Sequence, residues 1–204
     1  MEMDFTVHRA LYPISVLTCL TLLSACNNKD GDSRGAAAAV PNTWVHVNHS
    51  KVHQQQGVLY YNSLPYSGYV YHLFPNSDTL KQTSYIQGKE EGWVKIWYNN
   101  RQLNELRFYI KGNKEGIHKG WWSDGTPKFE YRFHNNEHDG ELKEWYANGR
   151  MARWFHYTKG YEEGSQKMWW ENGDVRANYV VKDGERYGLT GQRLCTGTST
   201  AKHD

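Results

Sequence analysis

Residues 140–163 read GELKEWYANGRMARWFHYTKGYEE, and this stretch decides the fold. Gly140 opens a seven-residue run that ends at Tyr146, Asn148-Gly149 interrupts it, and Met151 to Tyr157 makes a second run dense in aromatic residues. An Asn-Gly pair between two such runs is a strong hairpin cue, because both residues tolerate positive φ. Helical spacing of apolar residues is missing, and no Pro interrupts the first run.

Outward from this unit the same frame returns. Glycines stand at 68, 92, 116, 140, 164 and 188, each 24 residues from the last. Counting from each glycine, the fourth position holds Lys95, Lys119, Lys143 and Lys167, and the sixth holds Trp97, Trp121, Trp145 and Trp169. The seventh is aromatic in five units, as Phe74, Tyr98, Trp122, Tyr146 and Trp170. Asp124-Gly125 and Asn172-Gly173 repeat the turn pair. At the next connection Gly112, Gly160 and Gly184 share one position with Asn136, and Asn is the usual non-glycine residue that accepts the left-handed conformation. A fixed period of this length is the signature of a repeat architecture.

These G-x-x-K-x-W-Y-x-N-G units resemble the MORN-repeat family, in particular its bacterial variant. The resemblance covers roughly residues 57–194, with atypical ends: Leu73 stands where the Trp belongs, and the last unit stops after Cys195. It implies an all-β fold, an elongated single-layer antiparallel sheet of tandem hairpins. Two strands per unit at about 4.8 Å give about 10 Å per repeat. Side-chain alternation then puts the Lys and Trp columns on one face and the seventh-position aromatics on the other. Cation–π contacts of about 0.5–1 kcal/mol are expected between the Lys rows and the indoles beside them.

Composition agrees with a thin sheet. Of 204 residues only 38% are hydrophobic, yet 15% are aromatic, with nine Trp and fifteen Tyr, so rings must supply much of the buried area. A net charge of +2, spread without a basic block, gives no footprint for nucleic acid.

Leu11 to Ala25 is a mostly apolar run of about fifteen residues, short for a spanning helix and suited to a secretory signal. It ends in Leu23-Ser24-Ala25-Cys26, which resembles a bacterial lipobox. That resemblance implies cleavage before Cys26 and lipidation of its thiol, hence export and attachment to a bacterial membrane, the outer one where Asp is absent after the Cys. The expected organisation is a signal peptide at 1–25, a flexible tether at 26–42, an N-terminal cap at 43–67, the repeat array at 68–195 and a disordered tail at 196–204. With Cys19 removed and Cys26 modified, Cys195 is left without a disulfide partner and reads as a small hydrophobe closing the last strand.

Catalytic and metal chemistry find little footing. His46, His49 and His53 have a superficially metal-like spacing, but Val45, Val47 and Val52 favour extended structure, in which His46 and His49 face opposite ways. His118, His134, His138 and His156 read as surface or packing residues. Glu90, Glu91, Glu115, Asp139, Glu162 and Glu163 precede the repeat glycines, where hydrogen bonding to local backbone amides accounts for them better than paired acid–base work. No nucleophile elbow, phosphate loop or dinucleotide fingerprint is present. The expectation is therefore a non-enzymatic, cofactor-free scaffold for an envelope protein, with Trp97, Trp121, Trp145, Trp169 and the four lysines as candidate binding residues, although most of these rings are expected to form the core, since a single-layer sheet has nothing else to bury. Two alternatives stand beside it: a module for peptidoglycan or another surface glycan, and an antitoxin-like partner-neutralising protein, a label the family resemblance carries.

Overall fold

The computed structural model describes residues 38–191. Cys26, the signal segment, most of the tether, Cys195 and the tail lie outside the described residues.

The described chain is all strand and turn. In order it forms β1 (Trp44–His46), β2 (Val52–Gln55), β3 (Val58–Tyr61), β4 (Leu64–Pro65), β5 (Gly68–Leu73), β6 (Thr79–Ile86), β7 (Lys89–Trp97), β8 (Leu103–Ile110), β9 (Asn113–Lys114), β10 (Gly116–Trp121), β11 (Pro127–His134), β12 (Glu137–Trp145), β13 (Met151–Thr158), β14 (Tyr161–Glu162), β15 (Gly164–Trp169), β16 (Val175–Lys182) and β17 (Glu185–Leu189). Fourteen of these make one long sheet in which neighbours in sequence are neighbours in space from β5 onward.

Two kinds of turn alternate along it. Gln87-Gly88, Lys111-Gly112, Asn135-Asn136, Lys159-Gly160 and Asp183-Gly184 are two-residue connections with positive φ at both positions, the type I′ geometry whose twist matches that of the flanking strands. Asn136 takes a φ of 73°, close to the 84° and 82° of Gly112 and Gly160.

The Asn-Gly turns are built differently from the sequence expectation. Only the glycine of Asn148-Gly149 has positive φ. The Tyr146 amide donates to the Arg150 carbonyl and the Gly149 amide to the Tyr146 carbonyl, a pairing that recurs 24 residues apart at Phe74, Tyr98, Trp122 and Trp170. The Asn or Asp side chain instead accepts from the amide two residues on, at Asn76, Asn100, Asp124, Asn148 and Asn172. A short polar side chain mimicking a backbone carbonyl is the physical reason that position favours Asn and Asp. Beside every such turn the register slips by one residue, between the fifth and sixth positions of each unit. Such bulges bend and twist the strand locally.

Two features depart from a single antiparallel layer. β1 pairs parallel to β5, with Val45 opposite Val70, so the sheet is mixed. β2, β3 and β4 form a separate three-stranded sheet. Its Leu59 joins Val45, Tyr66 and Val70 in one buried cluster, with Tyr85 packed against it. The first hairpin thus has a second layer on one side, because Leu59 and Tyr66 have no other apolar surface to meet.

Carboxylates knit successive units together. The Lys111 amide donates to Glu91 at 2.6 Å, the Asn135 amide to Glu115 at 2.8 Å and the Lys159 amide to Asp139 at 3.4 Å. Each amide opens a type I′ turn, so the acid before a repeat glycine holds the next turn rather than its own. Glu91 also accepts from the Ala38 amide at 2.8 Å, which pins the start of the described chain to β7. On the opposite edge the Tyr98 and Tyr146 hydroxyls donate to the Trp121 and Trp169 carbonyls, and the Trp122 indole to the Trp145 carbonyl.

Candidate functional site

Alternation along the strands assigns two faces, and the cross-strand register names their residues. One face is buried at the third position of each unit: Val70, Val94, His118, Leu142 and Gln166 are 1%, 3%, 3%, 6% and 0% exposed. Tyr109, Phe133, Phe155, Tyr179 and Val181 on the returning strands pack with them. The core is therefore the third-position column and not the indoles; none of the nine Trp is buried. The sixth position falls at the register slip beside the longer turn.

Two of the buried third-position residues are polar. Gln166 is satisfied by its own hairpin: its amide nitrogen donates to the His156 and Glu163 carbonyls and its oxygen accepts from the His156 amide. His118 lies 2.9 Å from the Phe108 carbonyl, between Tyr109 and Phe133, and Phe133 leads on to His138 and Tyr157 in a continuous line of rings. Arg107, Lys114, His118, Phe129, Tyr131, Phe133 and His138 line a concavity of about 220 Å³ here. Burial raises the Tyr131 hydroxyl, helped by its 2.7 Å donation to Glu144. The sequence reading missed this line of rings. Its one available signal was that His118 occupies the register of Val70, Val94 and Leu142.

Burial also pushes the His118 imidazole down to about 4, with Arg107 and Lys114 adding to the effect. Because that value lies below the unfolded value near 6.5, protons bind the unfolded chain preferentially between them. Stability is unaffected by this group above pH 6.5 and should fall by roughly 3 kcal/mol as pH drops toward 4. Denaturant titrations at pH 7.5 and pH 5 check this: His118→Leu should flatten the loss, and an equal loss in both proteins would assign it elsewhere.

The opposite face carries the lysines in a single row. Following Cα partners across the sheet gives Lys95, Leu106, Lys119, Glu130, Lys143, Trp154, Lys167, Asn178 and Leu189 in succession. Lys119 contacts Glu130 at 3.0 Å, and Lys143 contacts Glu141 at 2.5 Å, holding that carboxyl below the usual range. The cation–π expectation is corrected here. Trp97, Trp121, Trp145 and Trp169 have no lysine over their rings among the described residues, whereas Lys143 and Lys167 flank Trp154 at 5.7 and 5.8 Å. The partner is the residue directly across the ladder, since cross-strand neighbours are closer than residues two apart on one strand.

Trp97 sits in a concavity with Asp78, Thr79, Gln82 and Arg101, and Trp145 in one with Trp122, Phe129 and Tyr131. Trp121 and Trp169 are half-buried, and their carbonyls serve the inter-unit bonds described above. The lysine face also exposes large apolar groups: Trp93, Trp154, Val180, Tyr187 and Leu189 are 45%, 41%, 49%, 61% and 55% exposed. His46 and His49 accept from nearby amides and His53 stacks on Tyr60, so these three ring systems serve local packing. Among the described residues no group of three or more His, Cys, Asp or Glu is placed to hold a metal ion. No protein-family model matches the chain, and no curated protein matches it either.

Proposed function

We propose that this chain is a non-enzymatic, lipid-anchored scaffold of the bacterial envelope, built from MORN-type hairpin repeats, that captures another envelope protein. One observation carries the reading: a sheet face where large apolar side chains stand exposed among a regular row of lysines. Val180, Tyr187 and Leu189 gather at one end of that face, and grouped exposed apolar side chains among polar ones mark an interaction surface. The 24-residue recurrence of turns, register slips and inter-unit hydrogen bonds supports a repeat array, in which each unit offers the same surface again. The Leu23-Ser24-Ala25-Cys26 motif supports the anchor, since two or three acyl chains bind a bilayer stably at about 0.8 kcal/mol per CH₂.

Cross-linking in intact cells, followed by recovery of the tagged chain from membranes and mass spectrometry, tests both parts. One dominant attached protein is the expected result. Glycan fragments in its place would move the function to a carbohydrate-binding module. The Cys26→Ala variant should leave the membrane fraction, and its unchanged retention there would sink the anchor.

A further inference from the structure

We infer that the lysine face binds a polyproline II segment of the partner carrying an acidic residue at every third position. The inference rests on the scaffold reading and names the chemistry of what that scaffold holds.

The argument is one of period. Lys95, Lys119, Lys143 and Lys167 occur at every second strand of one unbroken cross-strand row. At about 4.8 Å per strand they recur every ~9.6 Å. A polyproline II helix has three residues per turn and rises about 3.1 Å each, so one of its faces recurs every ~9.3 Å. An acidic residue at each third position meets successive lysines in step. An extended strand cannot, because its same-face period of about 6.6 Å does not divide the lysine spacing.

Two turns of α-helix, about 10.8 Å, come nearer than a strand but overshoot the lysine spacing by about 1.2 Å. That rod is also stiff, and the row is not flat. Adjacent strands rotate by about 20–25°, so the six steps from Lys95 to Lys167 turn the lysine direction through roughly 120–150°. A flat bilayer fails for the same reason, since it cannot meet all four ammoniums at once. Polyproline II has no internal hydrogen bonds for bending to break, so winding along such a path costs it less than it costs an α-helix.

Two of the three steps between the lysines suit proline, and the central one, from Lys119 to Lys143, is filled by Glu130. Leu106 and Trp154 fill the steps from Lys95 to Lys119 and from Lys143 to Lys167. Trp154 has the Lys143 and Lys167 ammoniums 5.7 and 5.8 Å from its ring centre and donates its indole N–H to Glu141 at 3.1 Å, and an aromatic ring fixed in this way is the usual seat for a proline face. Lys119 and Lys143 are already paired with Glu130 and Glu141, whereas Lys95 and Lys167 hold no carboxylate among the described residues. The outer two lysines therefore contribute most of the charge attraction.

The probe is a fluorescent peptide of Asp-Pro-Pro units, roughly twelve residues long so that it spans the ~29 Å from Lys95 to Lys167. It is titrated by anisotropy onto the full chain in detergent, beside a peptide of the same composition with its aspartates clustered. The periodic peptide should bind at least tenfold tighter. Lys95→Gln with Lys167→Gln should weaken it about tenfold and lessen its salt dependence, and Trp154→Ala should weaken it at unchanged salt dependence. Equal binding of the two peptides overturns the inference in favour of a general polyanion surface. Tighter binding of an acidic glycan or of anionic vesicles overturns it in favour of those ligands. Failure here with a protein still captured by cross-linking leaves the scaffold reading standing and this inference refuted; no cross-linked protein at all removes both.

Discussion

Phe133→Ala should lower the unfolding free energy by about 3–5 kcal/mol, the cost of deleting a buried aromatic ring with incomplete collapse of the space. The ring is 6% exposed in the middle of the array. It lies 4.7 Å from the His118 ring, 4.4 Å from that of His138, and beneath the Lys114 ammonium at 5.0 Å. Its loss would break the line of rings that runs from Tyr109 to Tyr157 and would separate units on either side. Urea denaturation of both proteins measures it. A cost below about 1 kcal/mol would mean that the neighbouring units carry the core without this ring.

The second large effect is expected at a repeat glycine, and it depends on which one. Gly68 has a φ of 145°, and a Cβ there would lie 2.6 Å from the Thr43 carbonyl oxygen and 2.2 Å from the Thr43 hydroxyl. Gly68→Ala should therefore cost on the order of 4 kcal/mol, the sum of backbone strain and overpacking against Thr43, the residue that leads into β1. Gly164 stands in the same register with a φ of 70° and nothing within 4 Å of its Cβ position. Gly164→Ala should cost only about 1–2 kcal/mol, from the left-handed backbone alone. Thermal melts of the two variants decide it: equal shifts would show that conformation, and not the contact with Thr43, sets the penalty at both sites.

That contrast shows where sequence stops. All six glycines look alike in the 24-residue frame, and all have positive φ, from 67° to 145°. What separates Gly68 from Gly164 is the parallel strand β1 laid beside the first, which comes from residues outside the frame. The same holds for the lysines. Their spacing was legible, but their partner was not, because Lys143 meets Trp154 across the ladder while Trp145 is only two residues away along it.

The carboxylates before the glycines lie between these cases. Of the six, Glu91, Glu115 and Asp139 accept from backbone amides, but from those of the next unit's turn, twenty residues on and not local ones, while Glu162 accepts from the Tyr179 hydroxyl and Arg186. His118 was read as a surface or packing residue, and its place in the core follows from a register shared with Val70, Val94 and Leu142. The line of rings it joins is assembled from three hairpins and stands in no single stretch.

What the sequence determined by itself is what neighbours along the chain decide: strands in place of helices, the positions of two alternating turns and a 24-residue period. Turn geometry and side-chain alternation depend on a few adjacent residues, so they are written locally. Tertiary structure alone decided which column is buried, which charges pair, that β1 runs parallel, and that a small second sheet covers the first hairpin. Those outcomes depend on how much apolar surface each face finds opposite it, and hydrophobic burial has no direction along the chain until distant strands are brought together.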